Sequence, residues 1–373
     1  MENKELIKLA KLFDKHGAAL YVVGGYVRDE IKGDVNDDID ITSNLSPSEI
    51  RDFCEKKFKI TDVSKKLGTV LIEGKTLRAE YTPFRSEQYD SKFAHSPSKI
   101  SFEKDLAKDA YRRDFTINAM YKNILTGEII DIYSGKADVK KKLIREIHSQ
   151  VFDVDPLRIL RMVRFASVLG FEIEKETFKD AKANAYKIAG LSKERIRLEF
   201  KKIMAGKGCE YAVEKLIELG VFPKSDLKLF RENKNLTCLV FDLFKGDEIK
   251  TQKFLDLYAE NKKQAEEIIS AINFAKKFDK EKKITTFINN EENIEKALPL
   301  VRNQKKFEEC LAVIDKNKLP LAVAQLDITG DDLLSYGIKP ILIGKELSRL
   351  LNVCVEGKVL NKKEELAKRL MED

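Results

Sequence analysis

Apolar positions at the start of the chain recur with helical spacing. Leu6, Ile7, Ala10 and Phe13 share one face of a segment over 4–16, which Gly17 stops. The pattern then changes. Tyr21, Val22 and Val23 form a short apolar run that predicts a buried strand, the Gly24-Gly25 pair predicts a tight turn, and 27–33 predicts a short helix ending at glycine. Ile39 and Ile41 alternate with Asp38 and Asp40, the period of a strand with one apolar and one acidic face. Ser46, Pro47 and Glu49 form a capping box with proline at the first helical position, so a helix should run toward Phe58. Strand-like runs follow over 60–63, 69–72 and 77–81. Beyond residue 140 the periodicity is almost wholly helical, with long amphipathic segments over 155–169, 192–205, 209–220 and 262–278. No Pro/Gly/Ser linker or repeat separates them. The fold class is therefore α+β: a small mixed β-sheet head, then an elongated all-helical remainder.

Composition narrows the functional classes. A chain of 373 residues with 43% hydrophobic content has room for two or three domains with real cores. No stretch approaches the roughly 20 apolar residues of a membrane helix, and the first residues lack a signal peptide's apolar segment. Five cysteines (Cys54, Cys209, Cys238, Cys310, Cys354) stand singly, with no C-x-x-C spacing. That argues against disulfides and zinc, and for a reducing cytoplasm. The net charge of +7 permits a nucleic-acid partner, although a lysine-rich surface is often only solvated. None of the three histidines, His16, His95 and His148, stands beside another or beside a carboxylate pair, which disfavours histidine-based chemistry.

The first candidate site lies where the strand-turn-helix pattern meets the acidic strand. A glycine turn opening a helix aims backbone N–H groups and a positive dipole end at an anion, and Arg28 adds a fork-shaped cation suited to phosphate. Asp38 and Asp40 on one face repel each other, and a divalent cation between them resolves the conflict. Taken singly, Gly-Gly is most often a turn and Asp-x-Asp most often a loop. Together they place a phosphate cradle beside a two-carboxylate metal site, an arrangement for chemistry on a nucleoside triphosphate.

Two further strings carry chemistry. In the string from Asp109 to Met120, which contains Arg112-Arg113-Asp114-Phe115-Thr116-Ile117-Asn118, Arg113 and Asp114 can hydrogen-bond a ribose and phosphates. The bland alternative is a helix with a charged face and Phe115, Ile117 and Met120 buried. In the segment over 155–165, Asp155 caps a helix starting at Pro156, and Arg158, Arg161 and Arg164 recur every three residues along one side. Such a stripe can be merely solvated. Guanidiniums and one carboxylate on a rigid helix can also imitate a base-pairing edge: Asp155 accepting from an exocyclic amine and Arg158 donating to ring positions would admit C and A and reject U and G.

These strings carry a resemblance. Gly24-Gly25-x-Val27-Arg28-Asp29 followed by Asp38-x-Asp40 resembles the first motif of the class II tRNA nucleotidyltransferases (CCA-adding enzymes) and bacterial poly(A) polymerases. The string over 112–120 is similar to their second motif. The segment from Asp155 resembles the family's Glu-Asp-x-x-Arg, with Val154 in place of the glutamate that would help orient Arg158. The resemblance implies a nucleotidyltransferase head over 1–140, a helical neck over 141–205 that reads the base, a helical body over 206–325 and a tRNA-binding tail over 326–373. It implies template-independent addition and repair of the 3′-terminal CCA of tRNA from CTP and ATP, with the tRNA 3′ end as partner and no membrane or disulfide partner. The alternatives are a CC-adding or A-adding enzyme, a poly(A) polymerase, or an inactive RNA-binding relative. Two Mg²⁺ ions on Asp38 and Asp40 would activate the RNA 3′-OH and stabilise leaving pyrophosphate. Gly24, Gly25 and Arg28 would hold the triphosphate, Arg113, Asp114 and Asn118 the sugar-phosphate, and Asp155, Arg158, Arg161 and Arg164 the base.

Secondary expectations complete the set. Glu80 is a candidate third carboxylate, the alternative being an ion pair with Arg78 or Arg85. The polar stretch over 86–108, holding Tyr89, Phe93 and His95, reads as a mobile loop like one that assists the C-to-A switch in the family. Ser134-Gly135 resembles the head-to-neck hinge. Arg195 and Glu199 are spaced to pair with each other in a supporting fifth motif. In the tail, Thr329 caps a helix, and Lys345, Arg349 and Lys358 either contact RNA phosphates or form a solvated face.

Overall fold

The computed structural model describes residues 4–34, 38–88 and 99–372. The chain divides into two compact units, residues 1–223 and 224–373.

The first unit opens with α1 (Lys4–Lys15), whose Leu6, Leu9, Ala10 and Phe13 are buried. Next come β1 (Tyr21–Val23), α2 (Gly25–Lys32), β2 (Ile39–Thr42) and α3 (Pro47–Cys54). The capping box forms as expected: Ser46 Oγ accepts from Glu49 N–H, and the Glu49 carboxylate accepts from Ser46 N–H. The helix stops at Cys54 rather than continuing to Phe58. β3 (Lys59–Ser64), β4 (Thr69–Glu73) and β5 (Arg78–Tyr81) fall within a residue or two of the expected strands. One mixed sheet of seven strands results, in the order β3-β4-β5-β2-β1-β8-β9, where β8 is Tyr121–Asn123 and β9 is Ile129–Ile130. Only β2 and β5 pair in parallel; the other neighbours are antiparallel. The acid-bearing β2 and the glycine turn after β1 therefore sit side by side near the middle of the sheet.

The expected loop over 86–108 is corrected in part. Residues 89–98, with Tyr89, Phe93 and His95, lie outside the described residues. Around them β6 (Arg85–Gln88) and β7 (Lys99–Phe102) pair antiparallel as a separate hairpin, and α4 (Leu106–Tyr111) follows. Polar residues on both faces of β6 hid this hairpin from hydrophobic periodicity. The helical alternative for the second string also fails. The helix ends at Tyr111, and residues 114–118 run irregularly into a 3₁₀ turn with Phe115, Ile117 and Met120 fully buried.

The remaining elements of the first unit are α5 (Gly135–Lys141), β10 (Leu143–Ile144), α6 (Val151–Val154), α7 (Leu157–Leu169), β11 (Glu172–Ile173), α8 (Lys175–Asn184), α9 (Lys193–Ala205) and α10 (Cys209–Glu218). The bend before α5 is tightly packed, because a Cβ on Gly135 would lie 2.2 Å from the Thr116 carbonyl oxygen. Only glycine lets α5 come this close to the second string. The Asp131 carboxylate fastens the bend by accepting from Gly135 and Lys136 N–H at 2.7 and 2.9 Å.

The second unit is helical throughout its described residues: α11 (Lys228–Asn233), α12 (Leu236–Phe244), α13 (Glu248–Tyr258), α14 (Lys262–Glu281), α15 (Ile294–Ala297), α16 (Gln304–Asn317), α17 (Gly330–Ser335), α18 (Ile343–Val355) and α19 (Lys363–Met371), with short 3₁₀ turns between. Phe274, Phe278, Phe287 and Phe307 form an aromatic cluster with ring centroids 4.8 to 5.8 Å apart. A second apolar cluster joins Leu333, Leu350, Leu351 and Leu366 across α17, α18 and α19. Thr329 caps α17 as expected, in a capping box with Asp332. No helix among the described residues is long and apolar enough to cross a membrane. All five cysteines are free and buried.

Candidate active site

A cleft of about 700 Å³ opens in the first unit. It gathers most of the residues that the sequence singled out. Gly24 and Gly25 line it at the turn into α2, where Gly24 adopts φ 71, a conformation that side-chain-bearing residues rarely take. Arg28, one turn into α2, is buried. Its guanidinium donates to both carboxylate oxygens of Asp29 at 2.8 and 2.9 Å and to Asn118 Oδ1 at 2.8 Å. A cation fixed on three bonds presents itself to a phosphate at little further entropic cost.

Asp38 and Asp40 line the same cleft. Asp40 stands directly opposite Glu80 in the parallel register of β2 and β5. The Asp40 carboxyl is open to the cleft, yet its pKa is pushed up to about 6, first by the surrounding walls and then by the negative charges of Asp38 and Glu80; Arg113 offsets this only in part. Glu80 makes no ion pair with Arg78 or Arg85; Arg85 pairs instead with Glu87 at 2.8 Å. No cluster of three or more carboxylate, histidine or cysteine side chains suited to one ion occurs among the described residues. The donor set is thus two hard carboxylates with a third beside them. That set fits Mg²⁺, which keeps waters and takes phosphate oxygens alongside one or two protein carboxylates.

Arg113, Asp114 and Asn118 form the adjoining wall. Asp114 is buried. It accepts from Asn118 Nδ2 at 3.1 Å and from Arg161 Nε at 2.8 Å. Burial opposes its ionisation, but Arg161 and Arg158 outweigh burial and hold its carboxyl below the usual carboxylate range. Asn118 therefore links Arg28 to Asp114, and Asp114 links the head to Arg161 on α7.

Asp155 stands at the N-terminal end of α7. Its carboxylate accepts from Leu157 N–H at 3.1 Å and faces Arg195 at 3.2 Å. The expected Arg195–Glu199 pairing gives way to two others: Arg195 holds Asp155, and Glu199 sits 3.0 Å from Arg164. Arg158 donates to the Arg112 carbonyl oxygen at 2.6 Å, and this bond orients it where Val154 offers no carboxylate. Arg161 lines the cleft but is engaged with Asp114. Arg164 is absent from the cleft lining and stacks on Phe165 at 4.3 Å while facing Glu199. Arg164 is thus set apart from Arg158 and Arg161, because a repeat of three drifts around a helix with 3.6 residues per turn. In the second unit, Lys345 is exposed on α18, Arg349 pairs with Glu346 at 2.7 Å, and Lys358 pairs with Glu356 at 2.6 Å.

Sequence reasoning missed Asp29, Glu87, Asp109, Tyr121 and Phe165. The Phe165 ring faces Arg28, Arg161 and Arg164 at 5.7, 5.4 and 4.3 Å. Asp29 was legible as the neighbour of Arg28. Asp109 and Tyr121 look in sequence like an ordinary helix acid and an ordinary strand aromatic.

A family model described as the Poly A polymerase head domain matches residues 20–145, and one described as a probable RNA and SrmB-binding site of polymerase A matches residues 170–224. The chain is similar to the CCA-adding enzyme of Ligilactobacillus salivarius, 30% identical over 100% of this chain and 98% of that protein. To the CCA-adding enzyme of Bacillus pumilus it is 36% identical over 58% of this chain, and there it spans only 53% of the relative's length. Among solved structures, the Thermotoga maritima CCA-adding enzyme complexed with tRNA superposes with a TM-score of 0.74 at 25% identity, covering 99% of this chain and 96% of that one.

Proposed function

The chain belongs to the CCA-adding enzyme family, and from that premise we propose that it adds and repairs the 3′-terminal CCA of tRNA, taking CTP and ATP without a nucleic-acid template. One observation carries this reading: a single cleft is lined by the acidic pair Asp38 and Asp40, by the glycine turn with Arg28, and by Asp155 and Arg158 at the start of α7.

The triphosphate lies against the N-terminus of α2, held by Gly24 and Gly25 backbone groups and by Arg28. Arg113 takes the sugar-phosphate from the adjoining wall, while Asp114 and Asn118 hold Arg161 and Arg28 in place. Asp155 accepts the exocyclic amine of cytosine or adenine, and Arg158 donates to the neighbouring ring position. Arg161 keeps Asp114 ionised and joins α7 to the head, and Arg164 supports α7 through Glu199. In this reading the base is chosen by Asp155 and Arg158 alone among the four α7 candidates.

Asp38 and Asp40 would hold the two Mg²⁺ ions of this reading, which when bound would supply Lewis acidity to the RNA 3′-OH and charge relief to the departing pyrophosphate. Glu80 stands beside Asp40 and shapes its charge. Residues 1–140 carry the chemistry, 141–205 read the base, and 206–325 and 326–373 serve as body and tRNA-gripping tail, with Lys345, Arg349 and Lys358 against phosphates. The place of work is the cytoplasm, where tRNA is matured and buried thiols stay reduced.

The test supplies tRNAs ending before, within and after CC with labelled CTP or ATP separately. Addition of two C and then one A, and no more, is the expected product ladder. Arrest after CC, addition of A alone, or a long A tail would replace this reading with one of the narrower enzymes. No product from any pair would leave an RNA-binding protein.

A further inference from the structure

Asp109 has a side chain with no exposure at all and lies one layer behind the cleft wall, and although it opens the second string, sequence reasoning assigned it no role. Its Oδ1 accepts from Arg112 Nε at 2.8 Å and from Arg85 N–H at 3.2 Å. Its Oδ2 accepts from Arg113 Nη2 at 3.0 Å and from the Tyr121 hydroxyl at 2.6 Å. The Tyr121 oxygen in turn accepts from Arg113 Nε at 2.8 Å, and the Arg113 guanidinium lies 5.0 Å from the Tyr121 ring centroid.

A closed triangle results. The acid holds the arginine, the phenol holds the same arginine, and the phenol donates to the acid. Burial keeps the phenol protonated, since it pushes the Tyr121 pKa up; Arg112 and Arg113 overcome burial to keep Asp109 ionised. Tyr121 is itself immobile. It pairs with Val23, the last residue of β1 before the glycine turn, and its ring packs with Val23, Phe84 and Ala110. The triangle is thereby tied to the strand end that launches the anion cradle.

We infer that Asp109 and Tyr121 are positioning residues for nucleotide binding: together they fix the Arg113 guanidinium at one angle in the cleft, and Asp109 fixes Arg112 beside it. The inference deepens the functional reading above and rests on it for the identity of the ligand. Arg113 has several rotatable bonds, and without the triangle it would have to be ordered anew by each incoming nucleotide.

The test measures equilibrium binding of CTP and of ATP to the full chain in Mg²⁺ by calorimetry, and then KM and kcat for transfer. Tyr121→Phe keeps the ring and its packing but removes the hydroxyl. Losing one bond to a charged group should weaken binding of both nucleotides about tenfold, raising KM far more than it lowers kcat. In an Arg113→Ala background the same substitution should add nothing, because there is no guanidinium left to hold. Asp109→Asn should weaken binding too, but part of its loss should persist in the Arg113→Ala background because Arg112 is released as well. An unchanged dissociation constant in Tyr121→Phe, or losses that simply add in the double variant, would overturn the inference. A wild-type chain that binds CTP but transfers none to any tRNA would sink the functional reading alone.

Discussion

The two ends of the cleft handle charge in opposite ways. At the basic end the buried acids are balanced: Asp109 holds Arg112 and Arg113, Asp114 holds Arg161, and Asp155 faces Arg195. At the acidic end, Asp40 meets the charges of Asp38 and Glu80, which Arg113 offsets in part, and its carboxyl is pushed up to about 6. A charge balanced by protein is ready before any ligand arrives. A charge left unbalanced marks where the ligand must supply its complement, at a cost to the empty protein. The basic end is thus built for orientation and the acidic end for cation capture.

The sharpest test of this contrast is at Asp40. Asp40→Ala should reduce incorporation of labelled CTP at least about 10³-fold, equivalent to about 4 kcal/mol of barrier, while its melting temperature holds or rises because a like-charge contact is gone. Asp114→Asn should do the reverse to stability. Leaving Arg161 without its buried partner should cost about 3–5 kcal/mol in denaturant unfolding; a loss below 1 kcal/mol would show that this end is not held by paired charge. Arg158→Ala should leave the fold intact and reduce discrimination of C and A against U and G by about 1–3 kcal/mol, read as relative kcat/KM for the four nucleotides.

A smaller effect concerns pH, away from the cleft. Burial, then the charges of Asp180 and Glu174, push the Glu146 carboxyl up to about 8. A folded-state pKa above the unfolded one means that protonation stabilises the fold, fully below the ordinary carboxylate range and progressively less as pH rises through 8. The melting temperature should therefore fall between pH 5 and 9 by a component that Glu146→Gln removes, with transfer activity unchanged at pH 7. Smallest of all, Lys345→Ala should weaken tRNA binding only a few-fold and reduce the salt slope by about one, as measured by filter binding across KCl concentrations. No change in slope would make this residue part of a solvated face.

Much of this was legible in the sequence because local rules and global fold agreed. The capping boxes at Ser46 and Thr329, the strand before Gly24 and the alternation at Ile39 and Ile41 all rest on short-range patterns that the structure keeps. The hairpin of β6 and β7 was not legible, since Arg85, Ser86, Glu87 and Gln88 are all polar and the alternation at Ile100 and Phe102 is too short to stand out. At the site, residue types named the chemistry but not the pairing. Spacing alone joined Arg195 to Glu199; the approach of α9 to α7 joined Arg195 to Asp155 and Glu199 to Arg164 instead. Asp109 and Tyr121 were given no role because their importance lies wholly in three-dimensional proximity to Arg113.

The bond from Arg158 to the Arg112 carbonyl oxygen has a consequence for how this chain tolerates change. Every amino acid brings the same main-chain oxygen, so no substitution at position 112 can delete the acceptor itself. The guanidinium proposed to discriminate bases is thereby tethered to something heredity cannot edit one codon at a time. A chain with valine at 154 can keep its aim by this route, and drift in the nearby side chains would leave that anchorage untouched.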